Sequence, residues 1–308
     1  MKKLIPYILI IIRSAIYGSS VLFTGRLLQD AAVFDVLATR FLLTAFFFIL
    51  LKLTGIIHVS FQGKDMRFPM LTALCEPGCY FIFETFGIMG TTTVLAGILL
   101  AMSSAIIIIL ETVFLKEKTT ILQKLCLLIR ILGGIVVVAF GVNSGKNTAW
   151  GIGAIILAMV SGAGYAVATR KSSQQFSAIE TTFFTSIFGA VLFNGINVII
   201  HITSGTLNNY FDLLLNPQNW GGLIFLSLIS SIAATVMSNY CYSKIQASLV
   251  SALSGISTVV TIAVGVIFNH EKLYPYHIIG TVMILGGALC MNLIPYFQHK
   301  HEMGRENL

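Results

Sequence analysis

The chain has 308 residues, 56% of them hydrophobic and only 10% charged, with a formal net charge of +7 and a mean hydropathy of +0.89. So little charge excludes a soluble globular domain, for which roughly 25% is usual. The basic excess sits in short turns between apolar runs, so it reads as membrane topology and not as a nucleic-acid footprint.

The apolar runs are close to the roughly 20 residues that a helix needs to cross hydrocarbon. Runs such as Ala105 to Leu110 are apolar on every side, which argues for helices over the alternating strands of a barrel. The opening segment "MKKLIPYILIIIRSAIYGSSVLF" starts like a signal peptide, but its apolar run is long and has no small-x-small cleavage site, so a retained first span is expected. Ten spans follow in order: 4 to 24, 34 to 54, 68 to 89, 93 to 115, 121 to 141, 149 to 169, 178 to 202, 220 to 242, 247 to 269 and 274 to 296. Linkers are short except for "TSGTLNNYFDLLLNPQNW" between the seventh and eighth, where Trp220 is expected at the membrane surface. With the N-terminus inside, thirteen basic residues (Lys2, Lys3, Lys52, Lys64, Arg67, Lys116, Lys118, Lys124, Arg170, Lys171, Lys244, Lys300, Arg305) face the cytoplasm against three outside (Arg26, Lys146, Lys272). That excess places both ends in the cytoplasm and agrees with an even number of spans.

An internal repeat organises these spans. A shift of 154 positions brings Glu117-Lys118 onto Glu271-Lys272, Phe114 onto Phe268, Ser103 onto Ser257, Leu95 onto Leu249, Leu99 onto Leu253 and Gly133 onto Gly287. Five spans separate the copies, so the two must run through the membrane in opposite senses. The fold expected is therefore an all-α membrane protein of ten transmembrane helices in two inverted five-helix repeats, residues 1–145 and 146–308, divided at the polar linker "NSGKNT". Inverted halves suit a carrier, because they can exchange conformations and open a central site to either side in turn.

The intramembrane polar groups are the candidate site. In the third span, "CEPGCYFIFETF" spaces Glu76, Tyr80 and Glu84 at i, i+4 and i+8 on one helical face, with Pro77-Gly78 as a place to bend. Each glutamate is either a substrate or proton-coupling group, or permanently paired with Arg13 or Arg130 to hold helices together. Arg13 and Arg130, near the middles of spans 1 and 5, are each an ion-pairing charge, a solute contact or a side chain reaching toward the interface. Arg40 reads as a local anchor near Asp35, and Glu111 as a helix-terminal or gating charge. Glu117 and Glu271 sit in turns just before spans 5 and 10, where they can accept from free backbone donors at the next helix start. Asn239, Tyr240 and Tyr242 in "MSNYCYSK", and Asn194 and Asn197 in "FNGIN", are either recognition groups for a polar solute or ties between helices. "GIGAIILAMVSGAGYA", ending near Tyr165, reads as close helix packing. Cys75, Cys79, Cys126, Cys241 and Cys290 lie in apolar segments without metal spacing, and His270 and His277 flank a turn with no third histidine nearby. No metal, cofactor or catalytic cluster is expected.

The segment "LAGILLAMSSAIIIILETVFLKEK" with its following "LGG", and its copy "LVSALSGISTVVTIAVGVIFNHEK" with "GTVMILGG", resemble the EamA domain of the drug/metabolite transporter superfamily, twice over nearly the whole chain. The resemblance implies a bacterial inner-membrane carrier, often an exporter of amino acids or related metabolites. It also implies a cavity among spans 1 to 4 and 6 to 9, with spans 5 and 10 behind. That layout favours Glu76, Tyr80 and Glu84 as cavity residues and Arg130 as a helix-pairing charge. Two positions depart from the family pattern: Ser103-Ser104-Ala105 and Ser257-Thr258-Val259 stand where many members carry a proline, and Cys126 replaces a glycine whose partner Gly280 is kept.

The function expected is secondary export of a small metabolite such as an amino acid, with protons as the candidate coupling ion. The partners expected are that solute and membrane lipid, with no nucleic acid, in a monomer or weak homodimer. The alternatives are a carrier of nucleotide-linked or lipid-linked sugars and a non-transporting structural subunit.

Overall fold

Caps and breakers in the sequence account for most of the helix boundaries. The computed structural model describes residues 4–114, 120–142 and 146–306, the side chains of residues 111, 113, 114, 248, 251 and 291–306 excepted. All regular structure among the described residues is helical. Helix α1 (Ile5–Asp30) opens with Pro6 in its first turn, where the missing N–H has no intrahelical acceptor to lose. Helix α2 (Val33–Leu53) carries Asp35 at its third position, accepting from the Ala32 N–H. Thr120 with Gln123, Thr148, and Ser177 with Glu180 cap the starts of α7 (Ile121–Gly141), α8 (Ala149–Ser172) and α9 (Ala178–Thr203). These polar side chains satisfy backbone donors that the first turn of a helix leaves free.

Four of the remaining spans are interrupted, and the interruptions occur in pairs. Helix α3 (Arg67–Ala73) passes through a widened π turn, Leu74–Cys79, into α4 (Tyr80–Met89). There Pro77 supplies no N–H, and the residue before a proline is pushed toward extended backbone. Glu76 accordingly has φ −147° and ψ 119°. The equivalent stretch of the second half, Phe225–Ala234, is also a π segment, between α11 (Trp220–Ile224) and α12 (Thr235–Lys244). The next pair consists of α5 (Thr93–Leu100) and α6 (Ser103–Phe114), parted at Ala101-Met102, and α13 (Ala247–Leu253) and α14 (Ile256–Phe268), parted at Ser254-Gly255. The 154-residue offset brings Ala101 onto Gly255, so the two breaks coincide to within one residue. The short α10 (Asp212–Leu215) lies in the long connection, and α15 (Pro275–Glu306) ends the described chain.

By length and composition, seven stretches suit a membrane crossing: Ile5–Asp30, Val33–Leu53, Thr93–Leu110, Ile121–Gly141, Ala149–Ser172, Ala178–Thr203 and Pro217–Lys244. Ile256–Phe268 and Pro275–Cys290 are apolar but shorter. Ten spans were expected. The stretches at 67–89 and 247–268 fall outside the seven, although Thr93–Leu110 and Pro217–Lys244, which are also interrupted, are among them.

Helix contacts repeat under exchange of the halves. α1 packs on α14 and on the π segment Phe225–Ala234, while its counterpart α8 packs on α6 and on α3 and α4. α2 packs on its own counterpart α9, and α7 packs most extensively on its counterpart α15. The start of α5 lies against the end of α14, so the equivalent fourth and ninth spans meet beginning to end. Small residues allow the closest approaches. A Cβ on Gly18 of α1 would sit 2.6 Å from the Ser257 carbonyl oxygen, and one on Gly133 of α7 would sit 3.0 Å from the Gly280 carbonyl oxygen of α15.

Candidate functional site

A central cavity of about 150 Å³ lies where the interrupted helices meet α1, α2 and α8. Its charged groups are Arg13 from α1, Arg40 from α2, and Glu76 and Glu84 from the third span. Tyr17, Tyr80 and Tyr165 supply aromatic wall, and hydroxyls come from Ser20, Ser103, Ser230, Ser238, Ser254 and Ser257. Apolar clusters lie on both sides of it. Ile10, Ile107, Tyr165, Tyr242 and Val250 pack together on one side, and Val21, Val94, Ile98, Ile155 and Met159 belong to a cluster on the other.

The third span brings its predicted face together in part. The Tyr80 hydroxyl donates to Glu84 Oε1 at 2.9 Å, the contact expected one helical turn apart. Glu84 is 7% exposed. Glu76 lines the same cavity from across the π turn, half-buried, and among the described residues its carboxylate has no hydrogen-bond or ion-pair partner. π segments are frequent at functional sites because they redirect side chains and loosen the backbone ladder.

The guanidinium groups are held by hydroxyls instead of carboxylates. Arg13, 5% exposed, donates through its two terminal nitrogens to Ser238 Oγ and Ser254 Oγ and stands 5.3 Å from the Tyr17 ring centroid, while its Nε has no partner. Arg40 donates from Nε to Ser231 Oγ at 2.8 Å and from Nη2 to Ser230 Oγ at 3.2 Å, over the Phe81 ring at 4.3 Å. Neither forms an ion pair with Glu76 or Glu84 among the described residues. Arg130 likewise donates to the Ala101 carbonyl oxygen and Ser104 Oγ, so the pairing alternative for those glutamates is not the arrangement found here, and Arg40 does not contact the nearby Asp35. Asp35 Oδ1 instead accepts from Asn197 Nδ2 at 3.0 Å and contacts His201 Nε2 at 2.8 Å, leaving Arg40 free to turn inward.

Other sequence candidates lie elsewhere. Arg130, fully buried behind the cavity, donates to the Ala101 carbonyl oxygen at 3.1 Å and to Ser104 Oγ, beside the break between α5 and α6. Asn239 is buried and bridges two helices, accepting from the Tyr165 hydroxyl at 2.5 Å and donating to Thr182 at 2.8 Å. The Tyr240 ring is not among the lining groups and lies 5.7 Å from Lys244 Nζ. Glu271 accepts not from the helix that follows it, as its turn position suggested, but from the start of α5. Oε1 takes the Thr93 N–H at 2.8 Å and Oε2 the Val94 N–H at 2.7 Å, with Asn269 Nδ2 donating to Thr93 Oγ1 at 2.9 Å. The cap thus joins the two halves. Glu117 and the Glu111 side chain lie outside the described residues. Among the described residues no group of three His, Cys, Asp or Glu side chains is placed to hold a metal ion.

Tyr17, Arg40 and the serines of the eighth and ninth spans were missed by sequence reasoning. The repeat held a usable signal, since 154 positions beyond Glu76 stands Ser230, in the "SLISS" run that binds Arg40.

The profile of the EamA-like transporter family matches the chain twice, over residues 4–140 and 149–293. The chain belongs to that family, within the drug/metabolite transporter superfamily. It is a small-molecule transporter and not an enzyme, a multi-pass protein of the bacterial inner membrane. Its relatives include the uncharacterized transporter YcxC of Bacillus subtilis, 33% identical over 288 residues covering 93% of this chain and 92% of the relative. A second, the uncharacterized transporter YetK of the same organism, is 22% identical over 292 residues, 93% of this chain and 86% of that one. A crystal structure superposes with a TM-score of 0.67 at 16% identity, over 94% of this chain and 96% of that one, a likeness of fold alone.

Proposed function

We propose that the protein is a secondary exporter of a small polar metabolite such as an amino acid, working by alternating access between two inverted five-helix repeats, residues 1–145 and 146–308. In this reading ten helices cross the membrane, both ends are cytoplasmic, and the protein works as a monomer or weak homodimer. Protons are the candidate coupling ion, through Glu76 or Glu84. The carrying observation is the polar cavity with apolar clusters on both sides, set between helices whose contacts repeat under exchange of the halves. A site set between equivalent elements can be opened at either end by the same movement. Export follows the resemblance to the family. A nucleotide-sugar carrier would want a net basic cavity for its phosphates, whereas here two guanidinium groups are matched by two carboxylates.

The test is efflux from proteoliposomes preloaded with radiolabelled amino acids, with and without an imposed pH gradient. Efflux well above that of protein-free vesicles is expected, faster with the gradient in one direction. No movement of any amino acid sinks the amino-acid reading, and indifference to the pH gradient removes only the coupling.

A further inference from the structure

The second helices of the two halves, α2 and α9, pack antiparallel and are tied at each end by the same device. Asp35 is the third residue of α2 and Glu180 the third residue of α9. Each caps its own helix start: Asp35 Oδ2 accepts from the Ala32 N–H at 3.3 Å, and Glu180 Oε2 from the Ser177 N–H at 2.9 Å. Each carboxylate also reaches the far end of the other helix. Asp35 Oδ1 takes Asn197 Nδ2 at 3.0 Å and His201 Nε2 at 2.8 Å, from the last two turns of α9. Glu180 takes Lys64 Nζ, 2.8 Å from either oxygen, and the Ser60 N–H at 3.2 Å, from the chain that follows α2. Neighbouring segments are fastened with them. His201 Nδ1 lies 2.9 Å from the Thr206 carbonyl oxygen, and Tyr210 donates to Asn194 Oδ1 at 2.6 Å, which holds the long connection after α9. At the other end the Asp65 N–H donates to Gln175 at 2.9 Å, and Lys64 Nζ stands 5.1 Å from the Phe176 ring centroid.

The middle of the pair is held differently. A Cβ on Gly189 of α9 would sit 2.6 Å from Phe41 Cδ1 of α2, and the Phe41 and Phe193 rings pack with centroids 5.1 Å apart. Helices that approach so closely separate only by opening voids and losing packing contacts. The end ties are partly exposed, the Lys64 side chain to 26% and that of Asp35 to 22%. Water can replace their partners, and a tie of this kind shifts an equilibrium by only about two- to fivefold. The pair therefore has a firm middle and two releasable ends. Arg40, beside Phe41, lines the central cavity, so a swing of α2 about that middle is felt in the cavity.

We infer that the Asp35–His201 and Glu180–Lys64 ties are the two latches of the transport cycle, released one at a time while Gly189 against Phe41 serves as the pivot. The inference rests on the transporter reading and its topology, in which Asp35 with His201 latches the outer face and Glu180 with Lys64 the cytoplasmic face. Both latches are fastened in this structure.

The experiment measures distances at both ends of the pair by pulsed electron paramagnetic resonance, on full-length protein in liposomes with its five cysteines replaced by alanine. Spin labels on Ala32→Cys with Ser204→Cys report the outer end, and on Thr54→Cys with Gln174→Cys the inner end. Asp35→Asn, which keeps a side-chain oxygen for the helix cap, is expected to enlarge the long-distance population of the outer pair by about two- to fivefold and to leave the inner pair unchanged. Glu180→Gln is expected to do the reverse. Thermal melting confirms that each variant is folded. His201→Gln and Lys64→Gln loosen the same ties without touching either cap, and serve if a carboxylate variant does not fold. A merely structural tie would lower the melting temperature and leave both distance distributions alone, or broaden them at both ends together. Either result overturns the latches, as does opening at the end opposite the substitution. Efflux by the unsubstituted protein is measured in parallel, for amino acids and for choline, succinate and uracil. Flux without end-specific opening in the variants overturns the latches and leaves the carrier intact. End-specific opening with no solute moved overturns the carrier reading, and with it any role of the two ties in transport.

Discussion

Arg130 has the largest fully buried side chain among the described residues, yet it has a carbonyl and a serine for company and two nitrogens, Nε and Nη1, without acceptors. A buried charge so poorly compensated is a net cost, and exchange for an apolar side chain of similar shape is often neutral or stabilising by about 1–4 kcal/mol. Arg130→Met is therefore expected to hold or raise the melting temperature of the purified protein and to leave transport intact. A marked fall in melting temperature would assign the guanidinium a stabilising role that its described contacts do not account for. At this scale the sequence was informative where spacing alone determines contact. Tyr80 and Glu84, four residues apart on a helix, touch as expected. It misled where contact depends on a distant helix: Asp35 is near Arg40 in the chain but turned to His201 and Asn197 in space.

Among the elements, those that line the cavity and those behind it should respond differently to the same kind of substitution. Gly18 brings α1 against α14, and a Cβ there would meet Val260 Cβ at 2.7 Å as well as the Ser257 carbonyl oxygen at 2.6 Å. Gly133 brings α7 against α15, where a Cβ would meet Met283 Cβ at 2.7 Å and the Gly280 carbonyl oxygen at 3.0 Å. Neither backbone can yield without moving a helix, so Gly18→Val and Gly133→Val are each expected to cost about 1–3 kcal/mol. Transport should separate them. Gly18→Val displaces a wall of the cavity and should abolish flux, whereas Gly133→Val in the rear pair should lower the melting temperature and keep most of the flux in protein that remains folded. Equal loss of flux in folded samples of both would mean that the rear pair moves with the transport cycle. The breaks inside elements were only partly visible in advance. Pro77 announced the kink at Glu76, and Ser254-Gly255 in "LSGIS" is a turn signal, but nothing in the residue types of "LLAMSS" marks the matching break at Ala101-Met102.

For the whole molecule, the repeat was legible because a charged pair recurs at a fixed offset between two apolar spans. The way the halves hold each other was not, because the Glu271 cap pairs residues 178 positions apart, with no local pattern to record it. At that end of α5 the Asn269 and Thr93 side chains touch. A double substitution, Thr93→Cys with Asn269→Cys, is therefore expected to form a disulfide under oxidation and stop transport, with flux restored by a reductant. Undiminished flux in the oxidised protein would show that α5 and the end of α14 stay together throughout the cycle.

The same cap bears on biosynthesis. Thr93 and Val94 enter the membrane long before Glu271 is made, and at about 5–20 residues per second a lag of 178 residues lasts roughly 9–36 s. For that interval the start of α5 lacks its mature carboxylate partner. The first half of the chain is thus inserted in a provisional form, and its assembly is completed only when the last turn before α15 leaves the ribosome.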